Sequence, residues 1–195
     1  QRRPDISGPA REFLDTMARH RYNTLTLWNP HPFPSIVKCP SYPDCALEDV
    51  CVPTIKPVSQ PGAWKEPQFV APQVLENHEI VRPMGMDEKI AFWRRVLAHA
   101  RDRNIDVYWI TWNVFVNSAE GKYGITAAQD NPKTIAYLRE CTRETLLTYP
   151  QLSGIGVTAG EHMRDRNDEF DREKFLWSAY GEGVTDVRKL HPDRE

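Results

Sequence analysis

Three short apolar runs constrain this chain more than any other feature, because a helical pattern precedes each and polar or aromatic residues close it. The runs are Thr24-Leu25-Thr26-Leu27-Trp28, Ile105-Asp106-Val107-Tyr108-Trp109-Ile110-Thr111-Trp112 and Gly154-Ile155-Gly156-Val157-Thr158-Ala159. Runs of this length, bounded by turn residues and rich in β-branched or aromatic side chains, read as strands. Pro9 to His20 reads as a helix before the first, with Pro9 suited to a first turn and Phe13, Leu14, Met17 and Ala18 on one stripe. Asp87 is a suitable N-cap for a second helix, in which Ile90, Trp93, Leu97 and Ala100 share a face as far as Arg103. Asn131-Pro132 is a start signal for a third, which Ile135, Leu138, Thr142 and Leu146 continue to Tyr149-Pro150. A charged loop, Arg164 to Glu173, then leads to a last helix from Phe175 to Leu190.

Helices alternating with short apolar strands imply an α/β fold with a parallel sheet. Long segments follow the strands and short ones follow the helices, an asymmetry that suits a (β/α)8 barrel with its site at one face. Three strands do not close a barrel. The two readings are an open doubly wound sheet and, preferred, part of a barrel. Trp93 and Trp109 are expected to pack between sheet and helix.

The chain of 195 residues is read as one partial barrel domain, 1–195, with an ordered Pro-rich loop insertion at 30–86. Ten of the sixteen prolines fall between Pro30 and Pro72, without sustained periodicity, and Phe33, Tyr42, Trp64 and Phe69 favour order over a linker. The net charge of -2 gives no electrostatic case for nucleic acid or an anionic membrane as partner. No run approaches the roughly 18 apolar residues of a membrane span. A chain that opens on Gln, shows no signal-peptide pattern and stops just after a helical pattern is expected to be a fragment. Cys39, Cys45 and Cys51 lie six residues apart, which is not the spacing of a zinc site. They read as free loop cysteines, with a disulfide inside the loop as the alternative.

Chemistry is expected at the strand ends. Glu161 follows the third run directly, and partial burial at a strand tip would raise its pKa into the range of a general acid. The alternative is a carboxylate that caps the next segment or pairs with Arg164 or Arg166. His162 and Arg164 could hold a sugar hydroxyl or carboxylate, Arg through bidentate recognition, or could form ordinary surface contacts. Trp28, Asn29 and His31 close the first run, and Trp112 and Asn113 close the second. An indole offers a flat apolar face to a pyranose ring, and an Asn amide both donates to and accepts from a hydroxyl. Against this stand a core Trp and a turn-forming Asn. Glu120 and Asp130 flank the second excursion, Asn113 to Asp130, and either could be a second carboxylate, although Glu120-Gly121-Lys122 looks like an exposed turn. With no phosphate-binding glycine loop, Ser-His-Asp arrangement or metal-ligand cluster in view, no cofactor and no metal are expected.

Three stretches together carry a resemblance: Arg21 to Ser35 (RYNTLTLWNPHPFPS), Asp106 to Asn113 (DVYWITWN) and Gly154 to Met163 (GIGVTAGEHM). They resemble a group of bacterial (β/α)8 barrel proteins from polysaccharide-degrading organisms that look like glycoside hydrolases. Characterised relatives of that group are similar to α-glucuronidases, which carry a catalytic Glu after the fourth strand. The resemblance implies that the chain spans about strands two to four of the barrel. It implies hydrolysis of a plant or algal polysaccharide, uronic-acid-containing, in a periplasmic or secreted rather than cytoplasmic setting. Glu161 would be the general acid, Trp28, Asn29, Trp112 and Asn113 would line the sugar subsite, and the partner carboxylate would lie on a later strand. The opposing readings are a non-catalytic carbohydrate-binding or scaffold barrel and another sugar-converting barrel enzyme, such as an isomerase. Oligomeric state is left open.

Overall fold

The structure, a computed structural model, describes residues 8–54, 77–159, 163 and 170–193. Helix α1 (Gly8–Arg19) turns into strand β1 (Thr24–Asn29), and a short helix α2 (Phe33–Ile36) and a 3-10 turn (Pro43–Cys45) follow. Strands β2 (Val50–Pro53) and β3 (His78–Arg82) form an antiparallel ribbon of their own. Helix α3 (Met86–Arg101), strand β4 (Asp106–Trp112), helix α4 (Pro132–Thr148) and strand β5 (Gly154–Thr158) then alternate. Helix α5 (Asp171–Leu176), a π-helical turn (Trp177–Gly181) and helix α6 (Glu182–Leu190) run on without a break. Among the described residues no helix is long and apolar enough to cross a membrane.

The start signals act much as their chemistry requires. Asn131 caps α4, its side-chain oxygen accepting from Lys133 N at 2.9 Å while Pro132 takes the first turn. The cap of α3 is Gly85 rather than Asp87, which stands with Glu88 in the first turn. There the two carboxylates face the positive end of the helix dipole, so the acidic signal was correct in kind and displaced in position. The last helix begins at Asp171, ahead of Phe175, and the π-helical turn within it has no sequence signature.

Strands β1, β4 and β5 form a parallel sheet in that order. The register runs from Thr24 opposite Asp106 to Asn29 opposite Thr111, and from Tyr108 opposite Gly154 to Trp112 opposite Thr158. Side chains alternate across a sheet, so Leu25, Leu27, Val107, Trp109, Ile155 and Val157 share one face. All six belong to or pack against the buried core, together with Leu14 of α1, Val96 and Leu97 of α3, Leu138 of α4 and Val187 of α6. Trp93 meets Trp109 edge-on, ring centroids 5.5 Å apart, between helix and sheet as the sequence suggested.

The opposite face carries Thr24, Thr26 and Trp28, then Tyr108, Ile110 and Trp112, then Gly154, Gly156 and Thr158. None of these nine belongs to the core, so the described helices cover one face alone. The glycines of β5 are sized for their neighbours. A Cβ on Gly156 would stand 2.4 Å from Ile110 Cδ1, and one on Gly154 would stand 3.1 Å from the Tyr108 ring. Glycine at both places lets the larger side chains of β4 lie across β5.

The first part of the Pro-rich excursion is ordered by docking onto α4 and the loop before it. Ser41 N donates to Glu140 Oε1 at 2.8 Å, and Tyr42 sets its ring edge-on to Tyr137 and Tyr123. Lys89 reaches from α3 with its ammonium to the carbonyls of Leu47 and Asp49, at 2.6 and 3.0 Å. The β2–β3 ribbon beyond is exposed along its whole length. A ribbon without a buried face has no alternation for a sequence pattern to register.

Candidate functional site

The parallel sheet delivers its three strand ends side by side, and the residues that close β1 and β4 lie there. Trp28 sits on the uncovered face, 60% exposed, with its indole N–H donating to Thr26 Oγ1 of the same strand at 3.2 Å. It is not a core tryptophan. Ile110 lies opposite Trp28, and Trp112 lies two residues further along on the same face. Strand spacing puts the Cα atoms of Trp28 and Trp112 about 8 Å apart. Trp112 is half-buried, its ring held edge-on by Phe115 at a centroid distance of 5.0 Å.

The two asparagines have different surroundings. Asn29 is exposed, and its Oδ1 accepts from His31 N at 2.9 Å, a turn that carries the chain off the strand. Its amide nitrogen makes no hydrogen bond among the described residues. Asn113 is fully buried: Nδ2 donates to the Thr158 carbonyl at 3.0 Å, and Oδ1 accepts from Val114 N at 2.6 Å. It ties the end of β4 to the end of β5.

His31 lies beneath the loop, 7% exposed, with Nε2 2.9 Å from the Tyr137 hydroxyl and its ring edge-on to Phe33. Burial pushes its pKa down to about 3, so the imidazole is neutral at any ordinary pH. Nδ1 has no partner among the described residues, which places the proton on Nε2, since a buried N–H without an acceptor costs more than a bare lone pair. His31 thus faces α4 instead of the open sheet face.

Two residues that sequence reasoning passed over complete the frame. Thr111 donates from Oγ1 toward the Pro30 carbonyl at 3.1 Å, joining β4 to the residue after β1. The Tyr180 hydroxyl, on the π-helical turn, donates to the Asn113 carbonyl and lies 3.2 Å from that of Trp112. Thr111 had a signal, a hydroxyl at a core-facing strand position. Tyr180 had none, because nothing local says that a helical tyrosine will reach back to a strand end. Thr158 ends β5 opposite Trp112, its buried Oγ1 without a partner among the described residues.

Glu161, His162 and Arg164 lie outside the described residues, directly after this strand end. Glu120 is exposed, in a turn where Gly121 takes φ 81° and its N–H donates to the Ile125 carbonyl. Asp130 is exposed as well. A cavity of ≈ 420 Å³ opens at the other end of β5, between Ser153-Gly154-Ile155 and Val184, Val187 and Arg188 of α6. Concavity alone would lead there, but none of its lining residues is titratable except Arg188. The chemistry of the strand ends is the better guide.

No protein-family model and no curated protein matches this chain. Among solved structures it is similar to a GH138 enzyme targeting pectin rhamnogalacturonan II, with a TM-score of 0.66 and 21% identity. The likeness covers 95% of this chain and 18% of that one, so this chain spans less than a fifth of that enzyme's length. The virulence factor SghA, solved in complex with its substrate analog salicin, also matches at a TM-score of 0.48 and 11% identity, over 94% of this chain and 34% of that one. The fold over this span is therefore a mixed α/β fold with a parallel sheet and helices, similar to the corresponding part of that GH138 enzyme.

Proposed function

We propose that this chain is a segment of a glycoside hydrolase, about strands two to four of a (β/α)8 barrel, which acts on a pectin-like or other plant or algal polysaccharide. The observation that carries the reading is the pair Trp28 and Trp112 on one uncovered sheet face, at the end of the sheet where parallel α/β folds keep their chemistry. Among the described residues the helices lie on one face only, which supports a barrel segment over a doubly wound sheet with helices on both. The fold likeness to a GH138 enzyme supports the same class.

In this reading the indoles stack on the apolar face of a sugar ring, and the Asn29 amide bonds a ring hydroxyl. His31, Thr111, Asn113 and Tyr180 act indirectly by fixing the strand ends. Glu161 donates its proton to the leaving glycosidic oxygen as the bond breaks, paired with a carboxylate from a later strand. His162 and Arg164 suit a uronic acid carboxylate, which is the finer, α-glucuronidase-like form of the proposal.

The test is Glu161→Gln in the full-length protein, assayed on oligosaccharides released from pectin. Hydrolysis is expected to fall by on the order of 10²–10⁴-fold, with sugar binding held within about threefold. Hydrolysis at the wild-type rate would remove Glu161 as the acid. Sugar binding without hydrolysis in the wild-type protein would make this a carbohydrate-binding barrel.

A further inference from the structure

Cys39 and Cys141 are 102 residues apart in sequence, yet their sulfurs lie 3.0 Å from one another in the buried core. Cys39 comes from the loop after α2 and Cys141 from the middle of α4, 8% and 0% exposed. A disulfide bond is about 2.04 Å long, so bonding needs a movement of about one ångström and no change of fold. Cys45 is buried in the same loop, whereas Cys51 is exposed on β2. A bridge within the loop, the alternative that the six-residue spacing suggested, is therefore not the pairing that this geometry favours.

The surroundings are built around the two thiols. Tyr137 precedes Cys141 by one helical turn, and its hydroxyl meets both His31 Nε2 and the Cys141 sulfur. A continuous buried chain thus runs from His31 through Tyr137 and Cys141 to Cys39, from the strand-end loop into α4. Around it, Ser41 and Tyr42 dock the same loop segment onto the same helix. Burial and the neighbouring Cys39 push the Cys141 thiol pKa well up, so it is a poor nucleophile while the loop is docked.

We propose that Cys39 and Cys141 are a disulfide-forming pair that locks the loop after the first strand onto helix α4. The co-reactant is a disulfide-bearing oxidant of the glutathione or thiol-oxidoreductase class. As the loop docks during folding, one cysteine thiolate attacks a sulfur of the oxidant, giving a mixed disulfide and releasing one oxidant thiol. The second cysteine then attacks the mixed disulfide through its protein sulfur and releases the second oxidant thiol. Two protein thiols become one disulfide, the oxidant's disulfide becomes two thiols, and both protons pass to the oxidant. Closing a loop of this length restricts the unfolded chain most. The inference does not depend on any sugar chemistry.

Refolding the denatured, reduced chain in a mixture of reduced and oxidised glutathione tests it, since access to the oxidant is then not limiting. Trypsin cleaves after Lys38, Lys65, Arg139 and Arg143 and not at Lys56-Pro57. The non-reduced digest should therefore hold residues 140–143 joined to residues 39–65. Labelling of the denatured product by a maleimide should find two free thiols instead of four. The joined peptide should persist in the Cys45→Ala/Cys51→Ala variant and vanish in Cys39→Ala. The oxidised protein should melt about 10 °C above its reduced form. Four free thiols after refolding, or a bridge that survives Cys39→Ala, would overturn the proposal.

Discussion

His31 shows how one buried side chain sets a pH limit. Desolvation lowers its folded-state pKa from 6.5 to about 3. Below pH 6.5 the unfolded chain takes up a proton on this histidine, and the folded protein does not until about pH 3. Unfolding is thus favoured on acidification, and the contribution present above pH 6.5 is lost through this window. At pH 5 the loss is about 2 kcal/mol. Urea titrations at pH 7 and pH 5 should show it, and His31→Gln, which has nothing to titrate, should lose that part of the pH dependence. Equal pH slopes in the two proteins would mean that the imidazole is not held neutral. The same burial explains why the sequence misplaced this residue: a His two positions beyond a strand end reads as a ligand-facing group, and only the packed Tyr137 shows where it points.

Between elements, the seam of α4 and α6 has a close backbone approach at its centre. A Cβ on Gly183 would lie 2.8 Å from the Arg139 carbonyl oxygen and 2.8 Å from Thr142 Cβ. Beside it, Arg139 grips Asp186 through two nitrogens, at 2.7 and 2.9 Å, and also reaches Glu182. Those bonds to Arg139 hold the Asp186 carboxyl below its usual pKa. Gly183→Ala must push the helices apart, and should cost about 1–3 kcal/mol in chemical denaturation. At Gly181 the nearest atoms to an added Cβ belong to the exposed ring of Trp177 rather than to backbone, so Gly181→Ala should cost less than Gly183→Ala. Equal effects would refute the close seam. That seam was not legible in the sequence, because a glycine inside a helix does not say what it faces. The strands were legible wherever one face is buried: β1, β4 and β5 carry their core residues in alternation and end within a residue or so of expectation. The β2–β3 ribbon buries neither face, and it was read as irregular chain. Trp28, Asn29, Trp112 and Asn113 lie at strand ends as expected, because strand ends follow from strands. That Asn113 is sealed inside follows only from the third strand beside it.

At the scale of the whole molecule, the two faces of one sheet differ: one is packed into the core, and the other carries the proposed recognition residues. The covered face holds Trp109, 4% exposed and wedged edge-on between Trp93 and Tyr149. The uncovered face holds Trp28, whose ring touches solvent over most of its surface. The same residue type on adjacent, in-register strands therefore makes a controlled comparison. Trp109→Ala empties a packed site and should cost about 3–5 kcal/mol, with any loss of sugar binding following the loss of folded protein. Trp28→Ala removes an exposed ring and one surface hydrogen bond, so stability should move by no more than about 0.5 kcal/mol. Its effect should fall on ligand affinity instead, on the order of tenfold for a pectic oligosaccharide. Denaturant midpoints and calorimetric titrations on the two variants of the full-length protein separate the faces. A Trp28→Ala variant that binds as well as the parent would take the first strand end out of the site, and a stable Trp109→Ala variant would mean that the helices do not depend on this face of the sheet.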